Sequence, residues 1–473
     1  MSALLGDRAV VAGASMAGLL SARVLSDRFR EVVVVERDRL PTGPRPRRGV
    51  PQDRHVHGLL ARGRDVLEEF LPGFTDEVVG YGGVTGDLAG DCRWYMSGGF
   101  LASYDSGMVG LAASRPLLES VVRSRVRALS NVRFAEYTDV LGLTAATGRV
   151  TGVRLRGRSS SNEEALAADL VVGATGRGAA AVGWLTELGY AGPVEDTVGV
   201  DLSYVTRHYR RRPGDLGGAM VLVVAAQPPD LRSGVVIAQE DDRWVVTLIG
   251  LLGEQAPADV AGFTAYAAAL PVPDIAELVS RAEPLDEPAV ARFPDSRRRR
   301  WERAGALPER YVVVGDAISS FNPAYGQGMS VAAQESVVLA EALDGGLDQL
   351  PRRFFAAAAK VVDVPWSLAA TSDLRYPAVT GHRGPEVRLL NAYIGRLQVA
   401  ARSDQVLAQA FFRVMNLLDS PQGLLRPALA ARVLTGGPRP AWLPRLPRQR
   451  GDRTGAPHEP AGLPAATGGR DAT

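Results

Sequence analysis

The chain has 473 residues, of which 46% are hydrophobic and 22% charged, and its formal net charge is +2. This composition is typical of a soluble globular protein of two or three domains, and the charge gives no sign of nucleic acid or an anionic membrane as a partner. The single cysteine, Cys92, excludes an intramolecular disulfide and fits a reducing compartment. Neither a signal peptide nor a bilayer-spanning apolar run is found, so we expect a soluble cytoplasmic protein.

The stretch from Arg8 to Glu36 predicts a strand, a tight turn, a helix and a second strand. Gly13 allows the turn, and Gly18 lets the helix pack closely on the strand, while the helix N-terminus can bind a pyrophosphate. In the dinucleotide-binding pattern GxGxxG, Ser15 replaces the middle glycine. Glu36 ends the second strand, where a carboxylate can accept hydrogen bonds from ribose hydroxyls. We therefore predict a dinucleotide site here.

The elements that follow are predicted from periodicity and turn residues. In chain order they are a Pro- and Arg-rich loop (37–49), a helix (59–70), a sheet inserted into the nucleotide-binding domain (81–108), a helix capped by Ser114 (to 129), strands (132–137 and 150–156), a polar surface hairpin loop (157–165), antiparallel strands (198–292) and helices (349–434). The tail from Gly436 is rich in proline and glycine, and we expect it to be disordered.

Two later stretches also end a buried strand in a glycine turn. These are residues 168–178 and residues 311–317, the second of which continues through a proline turn into a helix predicted from Ser330 to about Leu343. Open α/β sheets bind ligands at the carboxyl ends of such strands. Three of these ends in one chain are far more specific than any one alone, and they indicate a single shared ligand.

Taken together, these motifs resemble the flavoprotein monooxygenases of the para-hydroxybenzoate hydroxylase fold, over residues 8 to about 343. The resemblance implies an α/β protein with a Rossmann-like FAD-binding domain, of the para-hydroxybenzoate hydroxylase and glutathione reductase type. It also implies an inserted, mostly antiparallel β-sheet substrate domain and a C-terminal helical region. The expected domains are FAD-binding (1–80, 109–185 and 293–345), substrate-binding (81–108 and 186–292), C-terminal helical (346–435) and a disordered tail (436–473).

The family also implies roles for individual residues. Its first motif binds the FAD pyrophosphate, its Gly-Asp pair positions the ribityl chain, its proline turn borders the isoalloxazine ring, and an arginine approaches the ribityl–phosphate region. We assign Asp316 to holding the cofactor rather than to catalysis. The cofactor-binding residues expected here are Gly13, Ser15, Met16, Ala17, Gly18, Glu36, Arg37, Arg115, Gly176, Gly315, Asp316, Pro323, Gly326, Gln327, Gly328 and Met329.

Other residues have weaker indications. His55 and His57 lie two apart and have no ligand partners nearby, so we discount a metal site and leave structural hydrogen bonding and a flavin-side role open. The arginines 297–300 are interpreted as a solvated stretch with a minor chance of meeting an anion. Asp363, Trp366 and Asp373 are interpreted as structural. Aromatic residues that could line a substrate pocket, or belong to the core, are Trp94, Tyr95, Phe100 and Tyr204.

Within this fold, the chain is most similar to the flavin-dependent epoxidases of polyether biosynthesis, relatives of squalene epoxidase. The motifs that carry this likeness are GVPQ-x-RH-x-H (49–57), SRPLLE (114–119), ATGRG (174–178), RW-x-VT (243–247), FNPAYGQGMS (321–330) and a late segment (362–373). Gln327 stands where the epoxidases often have histidine, and Gly173 stands where an acid commonly ends the strand. The type of oxygen transfer is therefore left open.

The resemblance implies that reduced FAD reacts with O₂ to give a C4a-hydroperoxide, whose distal oxygen is transferred to the substrate. An alkene needs no base for this, whereas a phenol benefits from one. No base can be identified from the sequence, which favours epoxidation of a polyketide-type secondary metabolite. The alternatives are an aromatic hydroxylase or a Baeyer–Villiger oxygenase of an aromatic polyketide, a reductase of isoprenoid double bonds, and a non-catalytic nucleotide-binding regulator.

The sequence contains no second strand–GxGxxG–helix unit that would hold NAD(P)H permanently. Either NAD(P)H binds transiently as the electron donor, or a separate flavin reductase supplies the electrons. We expect a hydrophobic small-molecule substrate, either free or bound to a carrier protein.

Overall fold

The computed structural model describes residues 4–47 and 49–435. Its strands are β1 (Gly6–Ala12), β2 (Phe29–Glu36), β3 (Val84–Asp87), β4 (Cys92–Met96), β5 (Gly99–Phe100), β6 (Val109–Ala112), β7 (Val132–Glu136), β8 (Thr138–Ala146), β9 (Arg149–Gly157), β10 (Glu163–Ala167), β11 (Leu170–Gly173), β12 (Glu195–Arg210), β13 (Val221–Val224), β14 (Arg232–Gln239), β15 (Arg243–Gly250), β16 (Ala289–Arg299), β17 (Tyr311–Val313) and β18 (Ser319–Ser320). Its helices are α1 (Met16–Ser26), α2 (Ala61–Phe70), α3 (Phe74–Gly80), α4 (Arg115–Arg127), α5 (Ala180–Glu187), α6 (Val260–Ala268), α7 (Asp274–Arg281), α8 (Gly328–Asp344), α9 (Leu350–Asp373), α10 (Pro385–Ala400), α11 (Gln405–Met415) and α12 (Pro427–Thr435).

A five-stranded parallel sheet, in the order β17-β11-β1-β2-β7, forms the framework. Val10 in β1 lies in register between Val33 of β2 and Val171 of β11, and all three side chains are buried. Parallel strands that are buried on both faces read as continuous valine runs because helices cover each face. The three predicted strand ends therefore come together at one carboxyl edge of this sheet.

An eight-stranded sheet, in the order β18-β16-β12-β15-β14-β13-β4-β5, forms the second layer. Its pairs are antiparallel except for β13 and β4, which run parallel. The predicted sheet at 81–108 thus contributes β4 and β5 to one edge, and the strands of 195–299 supply most of the rest. These strands come from distant parts of the chain.

Two sequence-based expectations differ from the structure. The polar hairpin loop predicted at 157–165 is present but shorter, because β10 begins at Glu163 and pairs antiparallel with β9, and β8 completes a three-stranded sheet. The arginines 297–300 are not a solvated stretch as a whole, since Arg298 and Arg299 are buried and only the side chain of Arg297 is more than a third exposed. Ion pairs offset the cost of burying these charges, as between Arg298 and Glu302 at 3.1 Å and between Arg300 and Asp363 at 2.7 Å.

Helices α9 to α12 cover the region in which the sequence predicts helices. The residues up to 435 form one compact unit, and the division into FAD-binding and substrate domains stays a prediction. The predicted disordered tail lies outside the described residues. Within the described ranges, no helix combines the length and the apolar character needed to cross a membrane.

Candidate functional site

A cavity of about 1230 Å³ is lined both by the carboxyl edge of the parallel sheet and by one face of the eight-stranded sheet. Every cofactor-binding residue expected from the sequence lines it except Gly18. Gly13 and Gly328, which are more than 300 positions apart in the chain, therefore line the same cavity.

The glycine turn after β1 leaves no room for side chains. Gly13 has a φ of +113°, and a Cβ at this position would lie 2.3 Å from the carbonyl oxygen of Ala174. A Cβ at Gly18 would lie 1.9 Å from the carbonyl oxygen of Gly13. Gly18 therefore acts from behind the cavity, by letting α1 approach the turn that faces it.

Ser15 is the N-cap of α1, yet its side chain accepts no hydrogen bond from the helix backbone. Its hydroxyl instead accepts one from Arg115 at 2.8 Å and donates one to Glu119 at 3.1 Å. The first N–H groups of α1 have no intrahelical partners, so this helix end can bind an anion.

Glu36 ends β2 beside this turn. Its carboxylate accepts hydrogen bonds from the backbone N–H of Ala14 at 2.9 Å and of Asp38 at 3.0 Å, and it pairs with Arg47 at 3.1 Å. A carboxylate has about four acceptor positions, so Glu36 retains capacity for a ribose hydroxyl. Arg47 also pairs with Glu119 at 2.8 Å, which ties the loop before α2 to α4.

Arg115 links this end of the cavity to the loop that carries the two histidines. Its Nε lies 3.2 Å from Asp53, and burial raises the pKa of that carboxyl to about 6 although Arg115 lowers it. His57 donates from Nδ1 to the carbonyl of His55 at 2.9 Å and presents Nε2 to Arg115 at 3.4 Å. Burial, together with Arg115, lowers the pKa of His57 to about 3. His57 is therefore neutral and orients Arg115.

The Gly-Asp pair, Gly315 and Asp316, also lines the cavity. Gly315 has a φ of +68°, and its N–H donates to Glu335 on α8. Asp316 lines the cavity, into which its side chain is exposed. Desolvation deep in the cavity raises the pKa of Asp316, although the charges of Arg115, Arg177 and Arg299 lower it.

The proline turn (323–327) leads into α8. The N-terminus of α8 is thus a second helix end that lines the same cavity. Gln327 is its N-cap and makes no side-chain cap bond. The Oε1 atom of Gln327 is buried without a partner, although the residue lines the cavity. Beside it, Tyr325 and Asn322 both donate to Asp373 at the end of α9, at 2.8 and 3.0 Å.

The opposite wall is largely apolar. It is formed by side chains of the eight-stranded sheet and the C-terminal helices, among them Trp94, Tyr204, Val223, Val235, Ile237, Ile249, Ile394 and Phe411. Tyr95 and Phe100 lie outside this lining and pack edge to face at 5.4 Å. Two hydrogen bonds in series cross the wall. One joins His55 Nδ1 to the hydroxyl of Thr206 at 2.9 Å, and the other joins the hydroxyls of Thr206 and Thr247 at 2.7 Å.

These features fit FAD. The glycine turn and the first residues of α1 line the cavity, Glu36 can accept from a ribose, and the unpartnered Gln327 oxygen lies at the helix end where the ring would sit. Sequence reasoning missed Arg47, Glu335 and the pair of Tyr325 with Asp373. The proline-rich surroundings of Arg47 gave no signal, whereas an acid at position 335 on an otherwise apolar face of α8 could have been noticed.

Comparison with known proteins agrees with this geometry. A family model described as "FAD binding domain" matches residues 8–348. "Protein Rv3254" of Mycobacterium tuberculosis is 35% identical over 432 residues, which cover 88% of this chain and 90% of that protein. The kynurenine 3-monooxygenase of Salinispora arenicola is 27% identical over 362 residues, covering 72% and 74%. The solved structure of p-nitrophenol 4-monooxygenase PnpA from Pseudomonas putida has a TM-score of 0.62 and 18% identity, and the match covers 89% of this chain and all of that one.

Proposed function

The chain belongs to the family defined by this FAD binding domain and is an FAD-dependent monooxygenase, and we propose that it transfers one oxygen atom from O₂ to a large apolar molecule. The observation that carries the proposal is the single cavity of about 1230 Å³, which joins the nucleotide turn to an apolar wall. The cavity continues beyond the nucleotide turn to this wall, and apolar walls select apolar ligands.

We propose that the ADP part of FAD lies between Gly13 and Glu36, its pyrophosphate at the N-terminus of α1, and its ring beside the turn 323–329. Arg115 would hold the region between phosphate and ribityl chain, where it already contacts Ser15. When bound and reduced, FAD makes one oxygen atom of O₂ electrophilic. The protein's own contribution is to hold the substrate against the ring and to keep water away from it.

For the substrate, the first candidate is an alkene of a polyketide-type secondary metabolite, which would be epoxidised. Its support is the apolar wall and the motif resemblance to the polyether epoxidases. Epoxidation needs only a positioned double bond, and the packed side chains of Val223, Val235 and Ile249 can position one without any polar group. We call the part of the cavity along this wall the apolar chamber. A substrate delivered by a carrier protein is compatible with it.

The second candidate is oxygenation of an aromatic polyketide, either hydroxylation or Baeyer–Villiger insertion. Hydroxylation is favoured by Tyr325, which lines the cavity with a buried carboxylate behind it and so supplies the base that the sequence did not reveal. The names of the two similar monooxygenases, for kynurenine and for p-nitrophenol, refer to substrates with aromatic rings.

We propose NAD(P)H as the electron donor, which either binds transiently or delivers its electrons through a separate flavin reductase.

The test is to purify the protein, measure its flavin content, reduce it without oxygen and mix it with ¹⁸O₂ and a panel of linear polyenes and fused-ring phenols. We expect FAD to copurify or to be reconstituted, and one class of compound to gain a single ¹⁸O atom. An epoxide would support the first candidate and a new ring hydroxyl the second. Failure to hold FAD, or saturation of an alkene without oxygen uptake, would contradict the proposal.

Ala225 offers a matched pair of variants for this test, because it lines the cavity and its backbone N–H bond to Tyr95 survives substitution. Ala225→Trp should fill part of the chamber and abolish labelling while flavin content stays unchanged. Ala225→Val should retain labelling. Equal labelling by both variants would indicate that substrate binds elsewhere.

A further inference from the structure

Asp373 is a buried carboxyl without an obvious structural need for its charge. It ends α9, is 1% exposed, and accepts hydrogen bonds from Tyr325 and Asn322 through the same oxygen, Oδ1. Its second oxygen, Oδ2, is buried and has no partner. A carboxylate kept only to anchor a turn would gain by satisfying both oxygens, because an unpaired buried acceptor is costly.

The surroundings of Asp373 suit proton transfer near neutral pH. The titratable and charged groups that face it are Tyr325 on the proline turn, and Arg375 and Tyr376 just beyond α9. Burial raises the pKa of Asp373 to about 7, against the hydrogen bonds from Tyr325 and Asn322 and the charge of Arg375, which lower it. A carboxyl with such a pKa can both accept and return a proton at neutral pH.

Tyr325 separates this carboxyl from the cavity. Tyr325 lines the cavity and Asp373 does not, so the tyrosine is the only one of the two that a ligand can reach. Because the Tyr325 hydroxyl donates its hydrogen bond to Asp373, its oxygen lone pairs are left to accept one from a ligand. Tyr325 also lies within the turn that borders the proposed ring site, where a substrate must come for oxygen transfer.

We propose that Tyr325 and Asp373 form a proton relay for a hydroxyl group of the substrate, in which Tyr325 contacts the substrate and Asp373 holds the proton. The substrate O–H bond breaks as its proton moves to the Tyr325 oxygen, and the Tyr325 proton moves to Asp373. The substrate becomes an oxyanion and Asp373 becomes neutral, so charge and protons balance without an oxidant or reductant. The substrate class is thus a phenol or an enol with a large apolar body.

This inference rests on the proposed function, since it names the substrate group within the same chamber. The relay is useful to a phenol, whose ring becomes more electron-rich on ionisation, and has no use with an isolated alkene. It therefore favours the hydroxylation candidate. A merely structural pair would stabilise the turn but would not distinguish a ligand's hydroxyl from its methyl ether.

The experiment measures binding to the oxidised FAD-loaded protein, followed by the flavin absorbance. The probes are matched pairs of fused-ring phenols and their methyl ethers: 2-naphthol with 2-methoxynaphthalene, 9-phenanthrol with 9-methoxyphenanthrene, and 1-hydroxypyrene with 1-methoxypyrene. At pH 8 we expect at least one phenol to bind tenfold or more tightly than its ether, and its phenolate absorbance to appear in the bound state. Below pH 6 the phenolate should disappear, because Asp373 is then protonated.

Tyr325→Phe should abolish both the phenol preference and the phenolate signal while the ether still binds. Asp373→Asn should do the same, and if this variant folds poorly the tyrosine variant carries the test alone. Tyr376→Phe is the matched control, since Tyr376 also lines the cavity but its hydroxyl donates to the backbone carbonyl of Asp230 at 2.9 Å. It should keep the preference.

The outcomes separate the relay from the proposed function. The relay is wrong if the ethers bind and no phenol is preferred, or if Tyr325→Phe keeps the preference. Neither result contradicts binding of apolar ligands in the chamber. If no member of any pair perturbs the flavin, both the relay and the chamber are contradicted. If the phenolate persists unchanged below pH 6, the proton is not going to Asp373.

Discussion

The carboxyl group of Glu335 accepts a hydrogen bond from the backbone N–H of Gly315, across 20 positions of sequence. Glu335 lies on α8 and is 1% exposed, and its Oε1 atom has no partner. Burial raises the pKa of Glu335 to about 8, with the Gly315 N–H and Arg298 lowering it and Asp316 raising it. A neutral carboxyl therefore holds the Gly-Asp turn in place at neutral pH.

Glu335→Gln should make the protein less sensitive to alkaline pH. In the wild type the folded-state pKa of about 8 is above the unfolded value of 4.5. Between these values the unfolded chain releases a proton that the folded chain keeps, so the free energy of unfolding falls as pH rises, by at most about 1.4 kcal/mol per pH unit. Glutamine keeps the acceptor for Gly315 and cannot ionise. Urea unfolding between pH 5 and 9 should show the variant gaining on the wild type up to about pH 8.

Glu341→Gln is the control, because Glu341 is on the same helix but is exposed. Its difference from the wild type should not change with pH across this window. A constant difference for Glu335→Gln as well would mean that Glu335 is already ionised in the folded protein.

The parts of the site that could be predicted from sequence are those whose constraint is local. Gly13 is recognisable because a turn directly after a strand needs a positive φ, and Glu36 because it ends the next strand. The motif at 315–328 is contiguous as well. Such features are visible in a single sequence because the residues that impose the constraint lie a few positions away.

The parts that could not be predicted depend on distant partners. The buried Arg298 pairs with Glu302, four positions later, and also with Asp363, which is 65 positions later and lies 3.3 Å away. Nothing near Arg298 in the sequence signals the second partner. Tyr325 gains a carboxylate from Asp373, 48 positions later. The sequence alone predicts only a structural role for both aspartates, since charge partners across a fold leave no periodic pattern.

Gly18→Ala should greatly reduce FAD binding. The added methyl would lie 1.9 Å from the carbonyl oxygen of Gly13, so α1 must move away from the turn that is proposed to hold the pyrophosphate. Isothermal titration with FAD should show at least a hundredfold weaker binding. Gly183→Ala is the control, since Gly183 lies in α5 and a methyl group added there would meet no neighbouring atom within 4 Å, so this variant should bind FAD normally.

Arg115→Gln should weaken FAD binding about tenfold to a hundredfold. This is the effect expected from losing a hydrogen bond to a charged group, worth about 1.5–3 kcal/mol. Arg115 reaches the cavity beside Ser15, with a side chain that is 12% exposed. Arg127→Gln, on the same helix but 41% exposed and paired with Glu136 outside the cavity, should leave the affinity unchanged. Equal affinities for both variants would remove Arg115 from the cofactor site.

Thr206→Val should destabilise the protein more than Thr247→Val, although the two threonines face each other in register on β12 and β15 and are equally buried. Thr206 lies between two partners, His55 at 2.9 Å and Thr247 at 2.7 Å. Valine at 206 leaves both of them unpaired inside the protein, which costs about 1–3 kcal/mol, whereas valine at 247 leaves the bond between Thr206 and His55 intact.

Urea unfolding of the two variants and of the double variant checks this order. Because removing both hydroxyls leaves only His55 without its partner, the double variant should be destabilised by less than the sum of the single effects. Valine has nearly the volume of threonine and suits a strand, so the differences report the hydrogen bonds rather than packing. If Thr247→Val lowers the free energy of unfolding as much as Thr206→Val does, the hydrogen bonds from His55 through Thr206 to Thr247 are not what stabilises this region. The loop of His55 is then held to the large sheet by another contact, such as the edge-to-face packing of His55 on Tyr204 at 4.6 Å.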